Sequence, residues 1–211
     1  MDDARTRIER RLGDENVTLS ALQLDQLTAY MDLLAHWNRR MNLTALDDLP
    51  AAVDRLIVEP VMAAGFIDPA ARVLVDVGSG GGSPAVPLKV VRPDLALTMI
   101  EIKARKSVFL REVARHLGMT DVTVESARFE QVMGRLPAAS VDVVSIRAVR
   151  AGLDELTVFA AALRPGGQQL WFLSDFQEAS GMPAELELEH DVPLVRSRGS
   201  RLVVLRKRDD P

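Results

Sequence analysis

Four branched or bulky apolar residues, Val73, Leu74, Val75 and Val77, surround one acid, Asp76, and the run then passes into Gly78, Ser79, Gly80, Gly81 and Gly82. An apolar run without alternation suits a strand buried on both faces, as in a parallel sheet. Similar short runs return at Ala96–Glu101, Asp121–Glu125, Val141–Ile146 and Gln169–Leu173. Between them the apolar spacing changes to three and four. Leu88–Val91 predicts a short helix closed by Arg92 and Pro93. Lys103–Leu117 predicts a longer one that offers Val108, Leu110, Val113, Ala114 and Leu117 to the sheet and stops at Gly118. Leu153–Leu163 reads as a third helix, ending in the turn Arg164-Pro165-Gly166-Gly167. Leu186–Leu194 and Leu202–Arg206 read as a closing antiparallel hairpin, with Gly199 in its turn.

Ahead of the first strand the pattern is helical. Thr18 is a plausible N-cap for a helix with Leu24, Leu27, Met31, Leu34 and Trp37 on one face. The segment HWNRRMNLTAL ends it, because Asn38 and Asn42 favour caps and turns. Ala51–Ala64 carries Val53, Leu56, Ile57 and Val61, and Pro60 should bend or end that helix. Strands alternating with helices predict an α/β class. The expected architecture is a mostly parallel Rossmann-like sheet over 69–211 with a C-terminal antiparallel hairpin, and a helical extension over 1–68 packed on it.

Composition narrows the function more than the fold. The chain has 211 residues, 47% of them hydrophobic and 27% charged, with no run near the roughly 18 apolar residues of a membrane span. The opening MDDARTRIERRLGDE has no apolar signal-peptide core, so a cytoplasmic protein is expected. Cysteine is absent, which excludes disulfides, thiolate metal sites and cysteine nucleophiles. His36, His116 and His190 are scattered, so no metal is expected. A net charge of −4 argues against wrapping nucleic acid over the whole surface. Arg5, Arg7, Arg10 and Arg11, then Arg39 and Arg40, then Arg196, Arg198, Arg201, Arg206, Lys207 and Arg208 are nevertheless clustered, as phosphate sites or as solvated faces.

The glycine run carries the chemistry. Ligands of open α/β sheets bind at the carboxyl ends of the strands, and a turn without Cβ atoms lets a ligand touch backbone. Asp76 can fix loop amides or a cationic ligand group. Glu101 ends the second strand close to the roughly 20-residue spacing at which an acid accepts ribose hydroxyls. Read from Gly78 the run is G-x-G-x-G, with Ser83 where a dinucleotide fingerprint wants its third glycine. Read from Gly80 it is G-x-G-x-x-A, ending at Ala85, which that fingerprint tolerates. The first register, with S-adenosylmethionine as ligand, is favoured over a nicotinamide dinucleotide.

With these residues placed, the chain resembles the GidB (RsmG) family, bacterial small-subunit (16S) ribosomal RNA guanine-N7 methyltransferases that use S-adenosyl-L-methionine. The resemblance runs from about Leu22 to Arg206 through HWNRRMNLTAL, DVGSGGGSPAVPL, IEIKARKSVFLREV, SIRAV and RLVVLRK. It implies that Gly78, Gly80, Gly82 and Ser83, then Glu101, then Phe129 and Glu130, and finally Arg147 hold the methyl donor. Phe129 offers an apolar face to adenine or is a core phenylalanine. Arg147 is a methyl-donor or RNA contact, taken as the catalytic position, or else a surface ion pair. The implied partner is 16S ribosomal RNA or the small ribosomal subunit, met by a monomer. Three departures stand out. Ser83-Pro84-Ala85 replaces phenylalanine- or leucine-proline-glycine; Arg55, Leu56 and Glu59 replace arginine-histidine and an aspartate; Leu173, Ser174 and Asp175 replace leucine-lysine-glycine, so that Asp175 should oppose RNA.

Overall fold

In the computed structural model, residues 4–41, 43–44, 49–147, 153–173, 182–195 and 199–209 are described. Among them seven strands form one sheet in the order β3-β2-β1-β4-β5-β7-β6. These are β1 (Val73–Val77), β2 (Ala96–Ile100), β3 (Val122–Glu125), β4 (Val141–Arg147), β5 (Leu163–Leu173), β6 (Leu186–Pro193) and β7 (Arg201–Lys207). The first five run parallel, while β7 is antiparallel to β5 and β6 antiparallel to β7. The expected α/β sheet with its closing hairpin is therefore present. The chain reverses strand order beside β1, and that reversal opens the crevice in which such sheets hold ligands.

Side-chain alternation divides β1 between two apolar layers. Leu74 joins the layer that contains the N-terminal helices, and Val75 and Val77 join the layer on the opposite face. The N-terminal helices are α1 (Ala4–Asp14), α2 (Ala21–Met41) and a helical path from Leu49 to Phe66, and their Ile8, Leu12, Leu27, Tyr30 and Ile57 are fully buried in that first layer. Helices α5 (Ala85–Val91) and α6 (Ala104–His116) complete it through Val86, Leu88, Phe109 and Leu110. The opposite layer is covered by α7 (Phe129–Met133) and α8 (Leu153–Ala162), with Phe159 between Phe129 and Trp171. No helix among the described residues is long and apolar enough to cross a membrane.

Several boundaries differ from the sequence expectation, each for a local reason. The cap of α2 is Ser20, not Thr18: Gln23 N–H donates to Ser20 Oγ at 3.3 Å and Ser20 N–H to Gln23 Oε1 at 2.9 Å, a reciprocal capping box. Helix α1 was not anticipated, because its arginines mask the buried pair Ile8 and Leu12. The turn expected at 164–167 is part of β5, whose register shifts against β4 between Val141 and Val143, a bulge that absorbs the glycines. Phe129–Met133 forms a short helix after β3. Pro60 does not end its helix. The path continues as α3 (Leu49–Val53), a π-helical turn (Asp54–Val58), α4 (Glu59–Ala63) and a 3₁₀ turn (Ala64–Phe66).

Candidate functional site

At the carboxyl ends of β1, β2 and β4 lies a cavity of about 520 Å³, within the usual size of a small-molecule site. Gly78, Ser79, Gly80, Gly81 and Ser83 form its floor, Glu101, Lys103 and Lys106 one wall, and Arg55, Leu56 and Arg147 the other. Leu34, Leu43 and Thr44 close it from the N-terminal region.

The floor is held by the strand next door. Gly78 and Ser79 N–H groups both donate to the Ile100 carbonyl, at 2.9 and 3.0 Å. Glu101, 6% exposed, accepts Gly80 N–H on Oε2 at 2.9 Å and Lys103 N–H on Oε1 at 2.7 Å. Gly80 has φ of 52°, a conformation that a side chain rarely adopts, so backbone stays open to the cavity. Gly82 has a different task. Its Cβ would meet Val86 Cγ2 at 3.0 Å and both Tyr30 and Leu110 at 3.4 Å, so it permits close helix packing behind the loop and does not line the cavity.

Tyr30 was not singled out by sequence. It is fully buried, and its hydroxyl donates to the Gly81 carbonyl at 2.7 Å, so α2 fixes the loop from behind. Burial pushes its phenol well above the ordinary range, which keeps the proton on the oxygen.

Strand alternation places Asp76, Ser145 and Arg147 on the face of the N-terminal helices. Asp76 is fully buried. Its Oδ1 accepts Ser145 Oγ–H at 2.6 Å, and its Oδ2 has no partner. Burial pushes the carboxyl up to about 6, against hydrogen bonding from the Ser145 and Ser79 hydroxyls and the nearby Arg147 charge. The Arg147 side chain is 8% exposed, lies 4.4 Å above the Phe172 ring, and donates to Glu59 Oε2 at 2.8 Å and to the Arg55 carbonyl. Burial lowers the guanidinium to about 10, with Glu59 opposing, so it stays a cation at neutral pH. The surface ion pair that stood as the alternative to a functional contact is not what forms: the side chains of the Arg147–Glu59 pair are buried.

Of the residues expected from sequence, Gly78, Gly80, Ser83, Glu101 and Arg147 meet at the cavity. Asp76 and Gly82 lie behind it. Phe129 packs 5.5 Å from Phe159 and Glu130 is exposed, and neither lines the cavity, because α7 directs the phenylalanine into the opposite apolar layer. Asn42, Ser174, Asp175, Arg196 and Arg198 lie outside the described residues. Lys103 and Lys106 were read only as part of a basic helix. Their three-residue spacing at the start of α6, just after the strand-ending acid, was the signal that marks them.

The family model for GidB, rRNA small subunit methyltransferase G, matches residues 23–193. The chain belongs to the GidB family. It is 34% identical over 165 residues to a ribosomal RNA small subunit methyltransferase G of Neisseria gonorrhoeae, covering 78% of this chain and 77% of that one. It is 32% identical over 205 residues to the protein of that name in Halorhodospira halophila, covering 95% of each. A putative O-methyltransferase from Klebsiella pneumoniae shares the fold at a TM-score of 0.63 and 16% identity, over 96% of both chains. Against the GidB pattern, the departure at Glu59 keeps a carboxylate paired with Arg147, and Leu56 turns one cavity wall apolar.

Replacing Tyr30 by phenylalanine removes one hydrogen bond from the loop while keeping the ring. Affinity for S-adenosylhomocysteine should fall about three- to tenfold, the usual net worth of one such bond. Titration calorimetry on the folded variant checks this.

Proposed function

We propose that the chain is a cytoplasmic, monomeric methyltransferase that uses S-adenosylmethionine to methylate guanine N7 in small-subunit (16S) ribosomal RNA. The residues fit that donor. Glycine-loop backbone and Glu101 suit the adenosine and its ribose diol, and the unpartnered Asp76 Oδ2 behind the loop favours an ammonium group. When bound, the donor supplies an electrophilic methyl group on a sulfonium. The acceptor nitrogen has a lone pair and no proton, so no residue need act as a base. What the chain must provide is alignment and exclusion of water. Arg147, held on three sides, is suited to orient the nucleobase or its phosphate.

The observation that carries the RNA reading is where the unpaired cations lie. Arg5, Arg11, Arg72, Arg92, Arg135, Arg164, Arg201, Arg206 and Arg208 each pair with a carboxylate. Among the described residues, Arg55, Lys103 and Lys106 line the cavity with no carboxylate at ion-pair distance. Exposed Arg105 continues this set along α6, and exposed Arg40 stands in the last turn of α2. Arg111, Arg115 and Arg128 also lack a carboxylate partner among the described residues, but three such cations converge on the cavity, where a polyanion would approach.

The test is transfer of labelled methyl groups to small ribosomal subunits that lack the modification, with the product located by the cleavage chemistry specific to 7-methylguanine. Label at another nucleobase atom, or none despite donor binding, overturns the proposal. Lys103→Ala combined with Lys106→Ala should reduce the slope of log affinity for RNA against log salt by about 1.5. An unchanged slope means that neither lysine meets phosphate.

A further inference from the structure

The helical path through Pro60 explains how Arg147 is held. In the π-helical turn, Glu59 N–H donates to the carbonyl five residues back, that of Asp54. The next residue in that ladder would donate to the Arg55 carbonyl, or in ordinary α-helical register to that of Leu56. Proline has no N–H to give. Those two carbonyls instead accept from the cavity's own side chains: Arg147 Nη1 donates to Arg55, and Ser83 Oγ donates to Leu56 at 3.0 Å. The turn that carries them is anchored from its other side. Asp54 is buried and accepts Arg11 Nε of α1 at 2.6 Å.

We propose that Pro60 is a positioning residue for Arg147, acting by withholding a backbone donor so that the Arg55 carbonyl is free to hold the guanidinium. A residue with an N–H at position 60 competes for that carbonyl and leaves Arg147 to Glu59 alone. Ordinary helix energetics then favours the variant, since proline in a helix interior is destabilising. A purely structural role moves stability and turnover together. This role moves them apart.

The inference rests on methyl transfer at the cavity that Arg147 lines, and its test has one arm that does not depend on turnover. In full-length Pro60→Ala, the melting temperature should be unchanged or higher and the affinity for S-adenosylhomocysteine within threefold. The kcat on unmethylated small subunits should fall at least fivefold, with KM for the subunits little changed. Pro60 is buried, so loss of its ring could loosen packing by itself. Pro60→Val restores the N–H with nearly the same volume and must show the same loss. In an Arg147→Lys background, Pro60→Ala should change kcat less than twofold. The Arg147 Nε–H, buried here, should exchange with water at least fivefold faster in Pro60→Ala by NMR, whether or not subunits are methylated. Unchanged exchange, multiplying effects of the two substitutions, or an active Pro60→Val each overturn the inference. A wild-type chain that methylates nothing, with the exchange result intact, overturns only the proposed function.

Discussion

Glu101→Ala is expected to weaken S-adenosylhomocysteine binding by about 100-fold, close to 3 kcal/mol. The sequence spacing assigned this acid one task, acceptance of ribose hydroxyls. The structure adds another, since both carboxylate oxygens already accept backbone N–H groups, from Gly80 in the loop and from Lys103 at the start of α6. A carboxylate offers about four lone-pair sites, so a diol can still be taken. Removing it takes away the ligand's acceptor and frees two N–H groups beside the cavity, where hydrogen bonds to a charged group are each worth roughly 1.5–3 kcal/mol. Glu101→Gln keeps one acceptor oxygen and turns an amide NH₂ toward one of those donors, so it should fall between, near tenfold. Calorimetric titration, with urea unfolding to show that both variants fold, makes the measurement. Affinity within threefold of wild type in a folded Glu101→Ala chain would show that the ligand does not use this acid and that the Ile100 carbonyl and the Tyr30 hydroxyl hold the loop without it.

The centre of the site was legible because it is local. The strand Val73–Val77, the glycines after it and the acid Glu101 lie within one strand-helix-strand unit, where residue type and spacing carry the geometry. The outer wall was not legible, since it depends on contacts across long separations. Nothing local says that Tyr30 reaches Gly81, that Arg11 pairs with Asp54, or that Arg147 meets Glu59. Pro60 was expected to bend or end its helix, because propensity treats a lost N–H as a loss. Here tertiary donors take the carbonyls that it leaves, so the helix survives. Phe129 shows the opposite limit: its position after β3 left adenine and the core equally open, and its ring packs against Phe159. A phenylalanine beside a sheet edge is equally at home in either place, and the turn of α7 decides.

Asp76→Asn should separate the pH dependence of folding from that of cofactor binding. In the folded chain the Asp76 carboxyl titrates near 6, against an ordinary value of 3.8. Between those values the folded state holds a proton that the unfolded state has released, so stability falls as pH rises through this window, by at most about 3 kcal/mol. Arg147, Glu101 and Tyr30 are the other charged or titratable groups coupled to it, and each is common to both forms. The asparagine form has no such proton. Relative to wild type it should gain about 2 kcal/mol between pH 4.5 and 7.5, read by urea unfolding at the two values. The Ser145 hydroxyl keeps an acceptor in either form. A cationic ligand group beside Oδ2 rewards the ionised carboxylate, so wild-type affinity for S-adenosylhomocysteine should rise about tenfold from pH 5 to 7.5, while that of Asp76→Asn stays nearly flat. Parallel profiles for the two proteins would mean that no ligand charge faces Asp76, and its burial would then be a purely structural cost of closing the loop.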